Sequence, residues 1–176
     1  MILLQWTLFY ATPALIAVLL ARTQEQFKIR MAIVHIFLIV SIGLLSVAGA
    51  RLALEFHVWS IALTITSLLF AIYLLRSVGV GYALSSFIQQ WCLLLAGVWI
   101  IPTSGIIIGT CATALVYALA HCIDHSSWIW KLPLTFLWGV CSLLIYLWLQ
   151  QPLLTISLHA FLGSILIYRE LLYERL

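Results

Sequence analysis

Apolar residues run along this chain in blocks too long and too unbroken for the alternation of a strand or the single stripe of a soluble amphipathic helix. Seven blocks can be drawn: roughly Ile2–Ala21, Met31–Ala50, Val58–Leu75, Val78–Ile101, Gly105–Ile123, Ile129–Leu149 and Leu153–Tyr168. Each is near the length that a bilayer core demands of a helix, and a helix is the element that satisfies its own backbone in hydrocarbon. The pattern predicts an all-α bundle of about seven transmembrane spans joined by short loops. The third and seventh blocks are the shortest. A brief polar turn around Asp124-His125-Ser126-Ser127 separates the fifth from the sixth.

Composition agrees with this reading. The 176 residues are 65% hydrophobic and 7% charged, with a mean hydropathy of +1.20, which excludes an ordinary soluble domain. The first block lacks a basic leader and a small-x-small cleavage pattern, so it reads as a retained helix rather than a signal peptide. No soluble domain, linker or repeat is visible. Residues 1–77 read as a three-helix region, 78–168 as a four-helix core and 169–176 as a helix end leaving the membrane, all within one integrated domain.

Charge sets the orientation. Arg22, Lys28, Arg30, Arg76, Lys131, Arg169 and Arg175 all fall on one side of a seven-span arrangement, and only Arg51 falls on the other, beside Glu55. The positive-inside rule then puts the N-terminus outside and the C-terminus in the cytoplasm. The net charge of +3 is accounted for by these loop residues, so no nucleic-acid partner is expected. Trp6, Trp59, Trp99, Trp128, Trp130 and Trp148 lie near block ends, where an interfacial aromatic belt belongs. Cys92, Cys111, Cys122 and Cys141 fall in separate blocks with no CxxC pair, and read as small apolar residues. Gly105-Ile-Ile-Ile-Gly109 is a GxxxG that predicts close helix packing and a central place for the fifth span.

Polar groups at depth are the candidate chemistry, because ionisable side chains in a span default to function. His121 ends the fifth block and precedes Asp124, the sole Asp among five acids; His159 lies inside the seventh, after Thr155 and Ser157. Gln89 and Gln90 fall near the middle of the fourth. Neighbouring helical residues point about 100° apart, so the two amides cannot face one partner equally well. By the predicted topology Gln89, Gln90, His121 and His159 could line one polar pocket open to the cytoplasmic side. His35 reads as structurally satisfied near an interface, and His57 and His125 as loop residues.

These residues carry a resemblance. The stretch from Val78 to Tyr168 resembles the CAAX protease and bacteriocin-processing (CPBP, or Abi) family of intramembrane endopeptidases. In that family a helix with EExxxR is followed by one ending in FxxxH and, after a further helix, by one with HxxxN or HxxxD. Here Tyr117-Ala-Leu-Ala-His121 reads like FxxxH with Tyr for Phe, His159-Ala-Phe-Leu-Gly163 like the last motif, and Gln89-Gln90-Trp-Cys-Leu-Leu94 stands in the place of EExxxR. The resemblance implies a glutamate that activates water with help from histidine. Glutamine cannot accept a proton from water at neutral pH. Leu94 replaces the arginine, and Gly163 replaces the final Asn or Asp. Glu25, Glu55, Glu170 and Glu174 lie in loops or the tail, too far away to substitute.

The expectation is therefore a catalytically degenerate CPBP-like protein in a bacterial inner membrane or thylakoid membrane, with no catalytic residue. It would serve as a structural or binding subunit of a larger membrane complex, with Gln89, Gln90, Tyr117, His121 and His159 lining a pocket for a lipid, a prenyl chain or a partner's terminal helix. A pigment- or cofactor-binding subunit is the alternative, with His121, His159 or His35 as axial ligands to a chlorophyll-type pigment. A surviving endopeptidase, or a metal enzyme using His121, Asp124, His125 and His159, is the third.

Overall fold

A computed structural model of the chain describes residues 24–53, 57–121 and 128–173. The first block at Ile2–Ala21, Trp6, Arg22, Glu55, Cys122, the turn at Asp124–Ser127, Glu174 and Arg175 lie outside the described residues, as do the side chains of Glu25, Lys28, Arg30, Trp128, Trp130 and Glu170. The described part is all helix: α1 (Gln24–Val47), α2 (Val58–Leu75), α3 (Gly79–Ser104), α4 (Ile106–His121), α5 (Trp128–Leu149) and α6 (Pro152–Tyr173), with a single 3-10 turn at Arg76–Val78. These six helices correspond to the second through seventh apolar blocks.

Among the described residues, four stretches are long and apolar enough to cross a membrane: α2, α3, Lys131–Leu149 within α5, and Pro152–Arg169 within α6. The apolar parts of α1 and α4 are shorter, Ile33–Val47 and Ile106–Leu119. The outside of the bundle is as apolar as its interior. Ile107 is 76% exposed and Trp148 84%, among more than thirty exposed large apolar side chains. Water would not tolerate so continuous a surface, whereas lipid tails cover it without penalty. The chain is a helical membrane protein. Trp59 and Trp148, both exposed, sit in the first turn of α2 and the last turn of α5, where a belt requires them.

The centre is α3. It packs against α1, α2, α4, α5 and α6, and Cys92 through Gly97 are buried without interruption. A helix enclosed over nearly two turns has no lipid face there. This corrects the expectation that the GxxxG helix is central: α4 packs on α3 and α5 and turns Ile106, Ile107, Ile108, Leu115 and Leu119 outward. The glycines serve a local purpose. Gly105 takes a positive φ of 81° between α3 and α4, a backbone state that suits glycine. A Cβ on Gly109 would come within 2.8 Å of the Ile101 backbone, so the second glycine seats α4 on the end of α3.

Two apolar cores flank α3. Val34, Leu38 and Leu45 of α1 pack on Cys92, Leu95, Ala96 and Ile100, while Leu93, Leu94, Tyr117, Leu143 and Tyr146 form the second cluster. Tyr146 also accepts a hydrogen bond from the Ala53 N–H at 2.8 Å, which ties the segment after α1 to α5. The hydroxyls of Thr64 and Ser157, 2.9 Å apart, join α2 to α6. Helices α5 and α6, consecutive in the chain, touch each other only lightly. Their shared opening is where the polar residues lie.

Candidate functional site

The site is built on helical spacing. On α3, Tyr82, Ser85 and Gln89 are three and four residues apart and share a face; on α4, Tyr117 and His121 are separated by one turn; on α6, His159 and Gly163 are too. In the chain these groups lie in the first half of α3, at the end of α4, in the first half of α5 and about the middle of α6, and antiparallel packing brings them together.

Each glutamine faces its own histidine. Gln89 Oε1 lies 3.0 Å from His121 Nε2, and Gln90 Oε1 lies 3.0 Å from His159 Nδ1. Adjacent positions on α3 point in different directions, and two helices, α4 and α6, use the two directions. The Tyr117 hydroxyl sits 3.3 Å from the same His159 nitrogen. The rings of His121 and His159 are 6.2 Å apart, and the Tyr117 ring is 4.3 Å from that of His121. All five residues are within one network, with Gln90 and Tyr117 fully enclosed and His159 nearly so, but Gln90, unlike the other four, does not line the cavity between α5 and α6.

Donor and acceptor roles can be worked out at His121. The Tyr117 backbone carbonyl, 2.8 Å from Nδ1, can only accept, so Nδ1 carries a proton and donates. A neutral ring then offers a lone pair at Nε2, which the Gln89 amide meets by presenting its NH2 and turning its oxygen to Ser85. A protonated ring is met by the Gln89 oxygen instead, and the NH2 donates to Ser85 Oγ, 2.9 Å away. An amide serves either form by turning over, which a carboxylate cannot do. Ser85 Oγ is in turn 2.7 Å from His35 Nε2. His35 is thus satisfied, and it extends the chain of hydrogen bonds to α1.

The cavity between α5 and α6 holds about 340 Å³. Gln89, Tyr117, His121 and His159 line its polar side with Tyr82, Ser85, Lys131, Thr135 and Trp138; Leu134, Leu162, Leu166 and Ile167 line its opening. The sequence reading missed Tyr82, Ser85 and Trp138 as site residues, and treated Lys131 as a loop charge. The spacing of Tyr82 and Ser85 from Gln89 was the available signal. Trp138, ring 6.1 Å from that of His159, had none.

Gly163 and Leu94 stand where the resemblance to the CPBP motifs would place a polar side chain. Tyr82 donates to the His159 backbone oxygen at 3.2 Å and lies directly against Gly163, where any Cβ would run into its hydroxyl. Leu94 is wholly buried in the apolar core.

Among the described residues no three histidines, cysteines or acids come together to hold a metal ion. Asp124 and His125, the other members of the suggested metal set, lie outside the described residues. At His121, one of the suggested axial ligands, both ring nitrogens are engaged in hydrogen bonds.

Comparison of the chain with protein-family models, curated proteins and solved structures finds no match. The fold, the pairing of the histidines and the cavity are what bear on function.

Proposed function

We propose that this protein is a non-catalytic, CPBP-like membrane subunit that binds a ligand or partner within the bilayer. The observation that carries the reading is the identity of the groups facing the histidines. Both are amides, Gln89 and Gln90, at hydrogen-bonding distance from His121 and His159. Activation of water for peptide hydrolysis needs a base at that place, and no acid lines the cavity among the described residues. What the network does well is hold a shaped, partly polar cavity open toward lipid, the usual form of a small-ligand site.

The seven-span topology belongs to the same proposal, with the N-terminus outside, the C-terminus cytoplasmic and the cavity in the cytoplasmic half of a bacterial inner membrane or thylakoid membrane. The charge count along the sequence supports it. So does the grouping of Lys131, His35 and the start of α3 at one end of the bundle. The exposed apolar surface of the outer helices is compatible with contact to lipid or to further membrane subunits.

Purification in a mild detergent tests the reading directly. Other membrane proteins are expected to travel with the chain in fixed ratio. Recovery as a lone monomer would overturn the subunit reading. A peptide-cleavage assay on the same material is expected to give no turnover above a His121→Ala control. Cleavage that this substitution abolishes would restore the endopeptidase.

A further inference from the structure

His159 brings one ring nitrogen to the α5–α6 cavity with nothing to bond to. Its Nδ1 is turned into the bundle, 3.0 Å from Gln90 Oε1 and 3.3 Å from the Tyr117 hydroxyl. Nε2 makes no hydrogen bond among the described residues, and it is not sealed within the protein, so it is an open polar atom of the lining. The other polar groups there are answered from inside the bundle. Gln89 holds Ser85 and His121, Tyr82 donates to the His159 backbone oxygen, and Thr135 donates to the Lys131 backbone oxygen. Lys131 is likewise engaged, so it adds no open charge. Trp138 keeps its N–H sealed in the wall, against the Tyr117 hydroxyl. An open nitrogen in a lining otherwise satisfied is costly in a bilayer, and one neutral polar group removes that cost.

The proton on Nε2 is set from behind the ring, where Gln90 can turn either end of its amide to Nδ1. With the amide oxygen there, Nδ1 carries the proton and Nε2 is an acceptor. With the NH2 there, Nε2 carries the proton and donates. A hydroxyl, donor and acceptor in one, meets both forms. A carbonyl or an ether meets only the second, and an ammonium only the first. The walls toward lipid define the rest of the ligand. Leu134 on α5 and Leu162 and Leu166 on α6 border a gap that the two helices leave nearly unbridged, and each is two-fifths or more exposed. One such gap gives passage to one alkyl chain, which restores the packing contacts that an unfilled gap forfeits.

We propose that the α5–α6 cavity binds a long-chain alcohol, a neutral single-chain lipid, with its hydroxyl on His159 Nε2 and its chain leaving between Leu134, Leu162 and Leu166. This rests on the binding-subunit reading and names its ligand class.

The test is photolabelling of the full chain in maltoside micelles with tritiated oleyl alcohol that carries a diazirine in its chain. Labelling that plain oleyl alcohol competes away is expected to saturate and to map to α5 and α6. Oleyl methyl ether, oleate and dioleoylglycerol are each expected to compete at least tenfold more weakly. His159→Phe, which keeps a ring without its nitrogens, is expected to lower the competable labelling by tenfold or more, and Leu166→Trp to abolish it. Leu144→Trp, on the exposed face of α5 outside the cavity, is expected to label as the unsubstituted chain does. Each variant is first checked for a monodisperse elution profile and an unchanged melting temperature. The competitor series on the unsubstituted chain tests the hydroxyl whether or not His159→Phe folds. Competition by any of the three within tenfold of the alcohol, unchanged labelling in folded His159→Phe or Leu166→Trp, or no competable labelling of α5 and α6 would each overturn the proposal. The subunit reading fails separately, by recovery of the chain without companions.

Discussion

The residues that matter most here are the two glutamines and the histidines they face. Gln89 and Gln90 are spaced to reach two histidines on two helices, and each finds one. In lipid such interhelical hydrogen bonds contribute on average about 0.6 kcal/mol and at most roughly 1.7. A double-mutant cycle on Gln89→Ala and His121→Ala, read by thermal unfolding in detergent, is accordingly expected to give a coupling of less than about 2 kcal/mol. Gly163 and Tyr82 form a tighter pair, because the phenol fills the space that a Cβ would need. Gly163→Ala should destabilise the fold by about 1–3 kcal/mol, the range for overpacking a close contact. Adding Tyr82→Phe should recover part of that loss, since the hydroxyl is the clashing atom. A full loss unrelieved by Tyr82→Phe would mean that the backbone at Gly163, not its contact, is what the glycine supplies. The histidines and glutamines were legible in the sequence because lipid makes any polar residue conspicuous. Which amide would meet which ring was not, since that depends on how α3 is rotated relative to α4 and α6.

At the scale of elements, the apolar blocks located the helices closely. Val58–Leu75 is the third block unchanged, and α5 differs from the sixth by one residue. Hydrocarbon length dictates these limits, so a run of apolar residues suffices to find them. Centrality was misread for a physical reason. A GxxxG announces close packing but not against how many partners, and Gly109 spends its small size on the end of α3. The better signal for the centre is uninterrupted burial from Cys92 to Gly97, which the sequence shows only as another apolar run. Gly97 lies where the Leu143 side chain of α5 leaves no room for a Cβ. Gly97→Leu is therefore expected to push α5 off α3 and to lower the melting temperature in detergent. The same change at Gly81, where nothing stands within 4 Å, should have little effect.

For the whole molecule, the distribution of surfaces decides how it sits. A bundle that exposes isoleucine, leucine and tryptophan on its outer helices requires lipid or other subunits around it. The seven-to-one charge bias then gives a direct expectation for reporters fused after Leu176: a fluorescent protein that folds in the cytoplasm should be bright, and alkaline phosphatase at the same point inactive. The opposite pattern would invert the topology and move the cavity to the outer half.

The amide partners have one more effect. A membrane potential does work only on charge that is displaced, about 2.3 kcal/mol for each elementary charge moved through 100 mV. When the Gln89 amide turns over, a donor and an acceptor change places but no net charge crosses the bilayer. A carboxylate in the same place would carry a charge held in the membrane's electric field. Glutamine thus adds no charge of its own to that field, and the only charge the pair can carry is the proton that His121 takes up when the amide presents its oxygen.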